Sequence, residues 1–162
     1  MEGIGEKGLV LRGWVPQVAI LRHPAIGGFL THCGWNSCLE GITAGLPMIT
    51  WPQFSEQFVN ERFLVDVLKI GVSVGAKVCS GSEEKRTLVK AEEVTKAVNE
   101  VMGDGEEAEE RRKRAKGLAA MAREAMEEGG SSYAEMSRLI LELRDLKKVR
   151  ELGLESKDEG DV

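Results

Sequence analysis

The sequence has no apolar run that approaches the ~20 residues needed to cross a membrane, and it shows neither the basic start nor the apolar core of a signal peptide. Its net charge of −5 argues against nucleic acid as a main partner. The three cysteines, Cys33, Cys38 and Cys79, are odd in number and lack metal-ligand spacing, which indicates free thiols in a reducing compartment. These absences predict a cytoplasmic protein that binds no membrane, nucleic acid or metal.

What is present is typical of an α/β protein. The 162 residues are 42% hydrophobic and 30% charged, which is enough for one domain with a real core. Short apolar runs predict strands at residues 8–12, 28–31, 48–50 and 71–74. Segments compatible with helix lie between them, at residues 17–21, 36–44 and 56–69. Strands that alternate with helices at this spacing predict a parallel sheet.

The last third of the sequence is predicted to be helical. Apolar residues at helical spacing predict one helix that ends at residues 103–105 and a second helix over 106–128. Ser132 and Glu135 have the spacing of a capping box for a third helix. Residues 79–87 are predicted to form a polar, exposed loop. We expect one domain over residues 1–150, which includes these helices, and a disordered tail over the charged and glycine-containing residues 151–162.

The segment Thr-His-Cys-Gly-Trp-Asn-Ser at residues 31–37 carries the strongest chemical signal. It follows a predicted strand and opens a predicted helix, where free N–H groups and the helix dipole favour an anion. Gly34 allows a ligand to approach the backbone closely, and Asn36 or Ser37 can cap the helix. His32 adds a proton donor whose charge can change near neutral pH. The segment therefore predicts a cradle for a diphosphate.

Neighbouring residues extend this interpretation from phosphate to nucleotide sugar. Glu40 lies one turn into the same predicted helix, where its carboxylate could reach the two hydroxyls of a ribose. Trp14 follows a predicted strand and could offer a flat face to a base. Glu56 and Gln57 follow another strand, where polar side chains could read sugar hydroxyls. The carboxyl ends of strands are where open parallel sheets bind their ligands.

Each of these residues also has a purely structural explanation. Trp14 and Trp35 could be core or half-buried aromatics, and Glu40 could be an exposed helix carboxylate. His32 alone would more often be structural than a ligand, and we interpret His23, in a loop-like stretch, in that way. The structural explanation suffices for any one residue. It does not account for the whole set at these fixed offsets.

Residues 14–57 closely resemble the signature box of plant secondary-product UDP-glycosyltransferases, a nucleotide-sugar enzyme family of the GT-B fold. The match runs without a gap from Trp14-Val15-Pro16-Gln17 through His32-Cys33-Gly34-Trp35-Asn36-Ser37 to Glu56-Gln57. Residues 71–75 and 127–132 are also similar and extend the match to about residue 146. The resemblance implies an α/β fold with a Rossmann-like parallel sheet. It implies the truncated C-terminal half of a GT-B glycosyltransferase, with a helical C-terminal third.

The resemblance also implies roles for individual residues. The residues implied to bind UDP are Trp14, Val15, Gln17, His32, Asn36, Ser37 and Glu40. Those implied to hold the sugar are Trp35, Glu56 and Gln57. Uracil would stack on Trp14 and form hydrogen bonds with the backbone of Val15. The ribose hydroxyls would bond Gln17 and Glu40. The phosphates would contact His32, Asn36 and Ser37. A terminal Gln in this box favours glucose, and Cys38, where many relatives carry Ser or Thr, is expected to affect packing only.

The implied reaction is the transfer of glucose from UDP-glucose to a hydroxyl of a small plant metabolite, such as a flavonoid or another phenolic or terpenoid compound. It would invert the anomeric centre without a metal or cofactor, and the sequence has no metal-holding Asp-x-Asp motif. Relatives take a catalytic His from an acceptor domain, which we expect to be missing here together with the first two strands of the donor domain. No catalytic residue is therefore expected in this chain, and the chain alone is expected to be inactive.

Two other interpretations stay open. The chain could be a donor-binding subunit that is completed by a separate acceptor chain. It could also be a non-catalytic interaction protein that uses its helical C-terminal third. The intact set of donor residues favours the enzyme and the subunit over the interaction protein. The expected partners are a UDP-sugar and a small-molecule acceptor, and the full-length enzyme is expected to be a monomer.

Overall fold

The computed structural model describes the backbone of residues 8–158 and the side chains of residues 8–151. The chain forms two compact units, Met1–Ala119 and Ala120–Val162. The single domain over residues 1–150 that the sequence predicts stays a prediction. The boundary falls inside a continuous helix, so no turn or change of composition marks it in the sequence.

Three short strands and the helices before, between and after them make up the described part of the first unit. The strands are β1 (Phe29–Thr31), β2 (Met48–Thr50) and β3 (Gly71–Ser73). The helices are α1 (Gln17–Leu21), α2 (Trp35–Ala44), α3 (Gln57–Arg62), α4 (Ala91–Met102) and most of α5 (Glu106–Met126), with a π-helical turn at Phe63–Val67 and a 3-10 turn at Glu83–Lys85. The strands pair in parallel in the order β1-β2-β3, with Phe29 opposite Met48 and Met48 opposite Gly71. The predicted parallel α/β sheet is confirmed.

The middle of the sheet is buried on both faces. All three residues of β2 are buried, and successive side chains of a strand point to opposite faces. Met48 belongs to one core cluster with Cys38 and Leu64, whereas Ile49 belongs to another with Val101. Cores on both sides explain why this strand is continuously apolar in sequence rather than alternating.

The strand predicted at residues 8–12 is wrong. That segment is irregular, and its apolar side chains face solvent, with Leu9 82% exposed and Leu11 55% exposed. A strand forms only where a neighbour bonds its N–H and C=O groups. None of the residues in 8–158 pairs with this segment. As a result β1 is an outer strand of the described sheet, and Leu30 is 44% exposed.

The capping box predicted at Ser132 and Glu135 is also wrong. The last helix, α6 (Ser131–Asp158), begins one residue before Ser132, so that serine lies in the first turn. Gly130 takes the capping position, and its carbonyl oxygen accepts the first helical bond from the N–H of Ala134 at 2.9 Å. A Cβ at Gly130 would clash with backbone oxygens of the preceding helix, which explains the glycine.

The backbone of α6 continues through residues 151–158, where the sequence predicts a disordered tail. An ion pair one turn apart, between Lys147 and Glu151 at 3.6 Å, joins the start of this stretch to the preceding turn and favours helix over irregular structure. Residues 159–162 of the predicted tail lie outside the described residues. No helix within residues 8–158 is long and apolar enough to span a membrane.

Candidate functional site

The turn between β1 and α2 has a strained backbone that buried side chains hold in place. Cys33 has a φ of 65°, a left-handed conformation that a residue with a Cβ rarely adopts. Its N–H donates to Oγ1 of Thr31 at 3.1 Å, and its carbonyl oxygen accepts from Nδ2 of Asn60 at 2.9 Å. Thr31, Cys33 and Asn60 are all buried. The turn therefore presents a fixed backbone at the carboxyl end of the sheet.

The first turn of α2 is open to a ligand. Gly34 is the N-cap residue and makes no side-chain cap bond, so the prediction that Asn36 or Ser37 caps the helix is wrong. Both residues lie instead inside the first turn, after Trp35. The N–H groups of Trp35, Asn36 and Ser37 have no hydrogen-bond partner among residues 8–158. Unpaired N–H groups and the positive end of the helix dipole together favour an anion at this point.

His32 lies against the start of the same helix. A Cβ at Gly34 would come within 2.5 Å of Nε2 of His32, so the ring occupies space that only a glycine leaves free. Glu56 is exposed, and hydrogen bonds from Ser55 and from its own backbone N–H lower the pKa of its carboxyl, with a smaller contribution from the charge of His32. A predicted phosphate residue thus lies against the start of α2, and a predicted sugar residue lies at the N-cap of α3.

Gln17 and Glu40, the two residues implied to hold a ribose, are in direct contact. Nε2 of Gln17 donates to Oε2 of Glu40 at 2.6 Å, across 23 positions of sequence. Gln17 begins α1 and Glu40 lies in the second turn of α2, so the contact depends on the packing of these two helices. Both side chains are half-buried. A carboxylate in this position has a second oxygen that can accept from a diol.

Gln57 has a structural role that the sequence does not reveal. The side chain is only 4% exposed, and its Oε1 accepts the backbone N–H groups of Gln53 at 2.8 Å and Phe54 at 3.2 Å. The oxygen of this amide therefore fixes the loop after β2. Only its NH2 group is left to contact a sugar.

Trp14 and Trp35, the two tryptophans implied to contact the donor, are not core residues. Trp14 is 89% exposed and Trp35 is 46% exposed, so the structural explanation fails for Trp14. The ring of Trp35 lies beside that of Phe63, with 6.2 Å between centroids. Nδ1 of His23 accepts the N–H of Ala25 at 3.2 Å, which agrees with the structural interpretation of that histidine.

Sequence reasoning missed the buried polar face of α3. Gln57, Asn60 and Glu61 are each less than a tenth exposed, and they lie three and four positions apart, which places them on one side of the helix. Glu61 accepts a hydrogen bond from Oγ1 of Thr50 at 2.7 Å. Polar residues at this spacing, next to apolar ones, were the sequence signal for this buried polar face.

Among the residues that the structure describes, no three His, Cys, Asp or Glu side chains gather as a metal site would require.

Residues 4–110, well over half of the chain, match the family model described as "UDP-glucoronosyl and UDP-glucosyl transferase". This chain belongs to that family. The UDP-glycosyltransferase 73E1 of Stevia rebaudiana is 55% identical over 147 residues, which are 89% of this chain and 30% of that protein. The chain thus spans about 30% of the length of the curated relatives that it matches.

Solved plant UDP-glycosyltransferases have the same GT-B architecture in the matched part. Glycyrrhiza uralensis UGT73P12, complexed with glycyrrhetinic acid 3-O-monoglucuronide, is 45% identical with a TM-score of 0.81, and the match covers 91% of this chain and 31% of that one. Phytolacca americana UGT2, complexed with UDP-2-fluoro-glucose and pterostilbene, is 38% identical with a TM-score of 0.71 over 84% and 29%. The predicted fold, part of a GT-B UDP-glycosyltransferase, is confirmed.

Proposed function

We propose that this chain is the UDP-sugar-binding part of a plant glycosyltransferase that transfers glucose from UDP-glucose to a hydroxyl of a small metabolite. The observation that carries the proposal is the open N-terminus of α2. The unpaired N–H groups of this turn lie beside His32. Glu40, which accepts a hydrogen bond from Gln17, lies further along the same helix. This arrangement suits a nucleoside diphosphate, because the anion and the ribose hydroxyls find separate partners on one helix.

The donor would be bound in three parts. The exposed ring of Trp14 stacks on uracil, with the backbone of Val15 at the edge of the base. Glu40, which also accepts a hydrogen bond from Gln17, accepts hydrogen bonds from the ribose hydroxyls. The two phosphates lie at the first turn of α2, against His32 and the side chains of Asn36 and Ser37. A relative that holds UDP-2-fluoro-glucose in its solved structure supports this class of donor.

Glucose would lie beyond the phosphates, near the start of α3. Trp35 is half-exposed at the first turn of α2, and Glu56 is an exposed carboxylate at the N-cap of α3. The NH2 group of Gln57 supplies a donor whose direction is fixed, because the oxygen of the same amide is held by the loop after β2. One acceptor and one fixed donor suit the hydroxyls of a hexose.

The reaction would be a direct displacement. The acceptor oxygen attacks the anomeric carbon, the bond to the diphosphate breaks, and the electron pair leaves with UDP, which inverts the anomeric centre. The charge that develops on UDP meets the N–H groups of α2 and His32, which are already in position, so no metal or cofactor is required. The proton of the acceptor hydroxyl needs a base. We propose that this base comes from polypeptide outside the residues described.

The acceptor is proposed to be a phenolic or terpenoid compound, for example a flavonoid. The ligands of the two solved relatives, pterostilbene and a glycyrrhetinic acid glucuronide, are small molecules with hydroxyl groups and support this class. The three free thiols support the cytoplasm as the location. We propose a monomer for the full enzyme.

A donor-binding subunit is the alternative. Leu9 and Leu11 are exposed, as is Leu30 on the outer strand, and these apolar side chains call for a covering surface. That surface could belong to the same polypeptide or to a separate one.

Calorimetry with the purified chain tests the donor proposal. We expect UDP to bind more tightly than ADP, because we propose that Trp14 and Val15 contact the base and that these contacts favour uracil. Equal affinity for the two nucleotides, or no affinity for either, would contradict the assignment.

A fusion protein tests catalysis. In it, the chain is joined to the amino-terminal part of a full-length relative, the part that this chain does not match. Glucoside formed from UDP-glucose by the fusion, but not by the relative's part alone, supports transfer. If the two parts are active when mixed as separate chains, the subunit alternative is favoured.

A further inference from the structure

Helix α3 bonds three separate points at the carboxyl end of the sheet through its buried polar face. Gln57 bonds the loop after β2, Glu61 bonds the end of β2 at Thr50, and Asn60 bonds the turn after β1 at Cys33. Of these three bonds, the one from Asn60 spans the most sequence, 27 positions. It is also the one that reaches the backbone of the proposed phosphate cradle.

The hydrogen bond from Asn60 sets the orientation of the peptide group that joins Cys33 to Gly34. Since the Cys33 carbonyl oxygen accepts from Asn60 inside the core, the N–H of Gly34, on the same planar trans peptide, points in the opposite direction, away from the core. That N–H has no partner among residues 8–158. It therefore joins the N–H groups of the first turn of α2 as a free donor on the ligand side.

The orientation of this peptide group depends on the side chains around it. Cys33 is not a glycine, so its left-handed conformation is unfavourable by itself and persists only where the surroundings enforce it. Two side-chain bonds do so, from Asn60 to the carbonyl oxygen and from the N–H to Oγ1 of Thr31. Without the first, the carbonyl oxygen is buried and unpaired, and rotation of the peptide toward solvent would relieve it.

We propose that Asn60 is a positioning residue for the diphosphate, and that it acts through the carbonyl of Cys33. The proposal rests on the proposed function of this site as a UDP-sugar site. Asn60 lies one turn after Glu56 and Gln57 on the same stretch of chain, so α3 also holds the phosphate cradle at a fixed distance from the sugar residues. A ligand that lacks phosphates makes no use of this arrangement.

The test compares UDP with uridine on the whole chain. Asn60→Leu removes the donor and keeps a similar volume, and we expect about tenfold weaker UDP binding with uridine binding unchanged. Thr50→Val is the matched control. It breaks the other buried bond between α3 and the sheet, from Thr50 to Glu61, without touching the turn. This control is expected to lower the melting temperature but to leave the affinities for UDP and uridine as they are.

Thr31 provides a second, milder pair of variants. Thr31→Val removes the oxygen that accepts from the N–H of Cys33, and Thr31→Ser keeps it. We expect the valine variant to bind UDP more weakly than the serine variant, with equal uridine binding. This pair gives the answer if Asn60→Leu does not fold.

The possible outcomes are distinct. A loss of UDP affinity in Asn60→Leu or Thr31→Val, without loss of uridine affinity and without an effect in Thr50→Val, supports the proposal. Equal loss for both ligands, or the same loss in the control, shows that Asn60 only stabilises the fold and overturns it. If the unmodified chain does not bind UDP, the proposed function fails and this inference fails with it.

Discussion

Removal of the Glu40 carboxylate is the most direct test of the ribose contact. In the structure this group accepts from Gln17 at 2.6 Å and has a second oxygen for a diol. Glu40→Ala would leave the ribose hydroxyls without their charged acceptor. Hydrogen bonds to charged groups contribute about 1.5–3 kcal/mol and neutral ones about half as much, so the variant should lose about 1–3 kcal/mol of UDP binding. This corresponds to about 5–150-fold in the dissociation constant.

Calorimetry with two ligands separates the contact from a general effect on the site. The unmodified chain should bind UDP more tightly than 2′-deoxy-UDP, whereas Glu40→Ala should bind the two about equally, since the contact is gone in both cases. Glu109→Ala is the control, because it removes an exposed carboxylate from α5. An unchanged affinity for UDP in Glu40→Ala, or the same preference for the ribose ligand as in the unmodified chain, would refute the ribose assignment.

The remaining predictions concern the glycine of the cradle, the thiols and turnover. Gly34→Ala should weaken UDP binding about tenfold, because the new Cβ would lie within 2.5 Å of Nε2 of His32 and displace the ring. Gly117→Ala, in open space on α5, should stabilise the chain by about 0.5–1 kcal/mol in thermal unfolding. Tighter UDP binding by Gly34→Ala would contradict the geometry. In the native chain a thiol reagent should modify the exposed Cys79 quickly and the fully buried Cys33 and Cys38 only after unfolding, since the reagent cannot reach a buried thiol. Three thiols that react rapidly would disprove the burial. Mass spectrometry of the isolated chain with UDP-glucose and a panel of flavonols should show no glucoside above a control without protein, and a clear product would show that a base is present here after all.

Features that depend on neighbouring residues could be predicted from the sequence, whereas features that depend on distant residues could not. β2 is found at the predicted residues, because an apolar run that is buried on both faces is a local pattern. The strand predicted at residues 8–12 has an equally apolar local pattern, yet it is not formed, because a strand depends on a partner elsewhere in space. The same limit hid the role of Asn60, which bonds a residue 27 positions away.

The error about the helix caps has a similar origin. Asn and Ser favour capping positions, which made Asn36 and Ser37 reasonable candidates. The cap is displaced because Cys33 turns left-handed and places Gly34 at the N-cap. That conformation is enforced by buried bonds to Thr31 and Asn60 rather than by the preference of a cysteine. The consequence favours the proposed site, since a side-chain cap would have occupied one of the N–H groups that an anion needs.

Donor binding and turnover depend on different groups, so the two can be lost separately. The groups proposed to bind UDP, from Trp14 to Gln57, all lie in the first compact unit. Turnover needs two further contributions: a general base, typically worth about 10²–10⁴-fold, and a surface that holds the acceptor, for which proximity can account for about 7–11 kcal/mol of the barrier. We propose neither histidine as the base, because Nδ1 of His23 accepts a hydrogen bond from the N–H of Ala25 and His32 is assigned to the phosphates. The chain should therefore bind its donor while leaving the sugar in place, and a variant that loses UDP affinity should do so whether or not an acceptor domain is present.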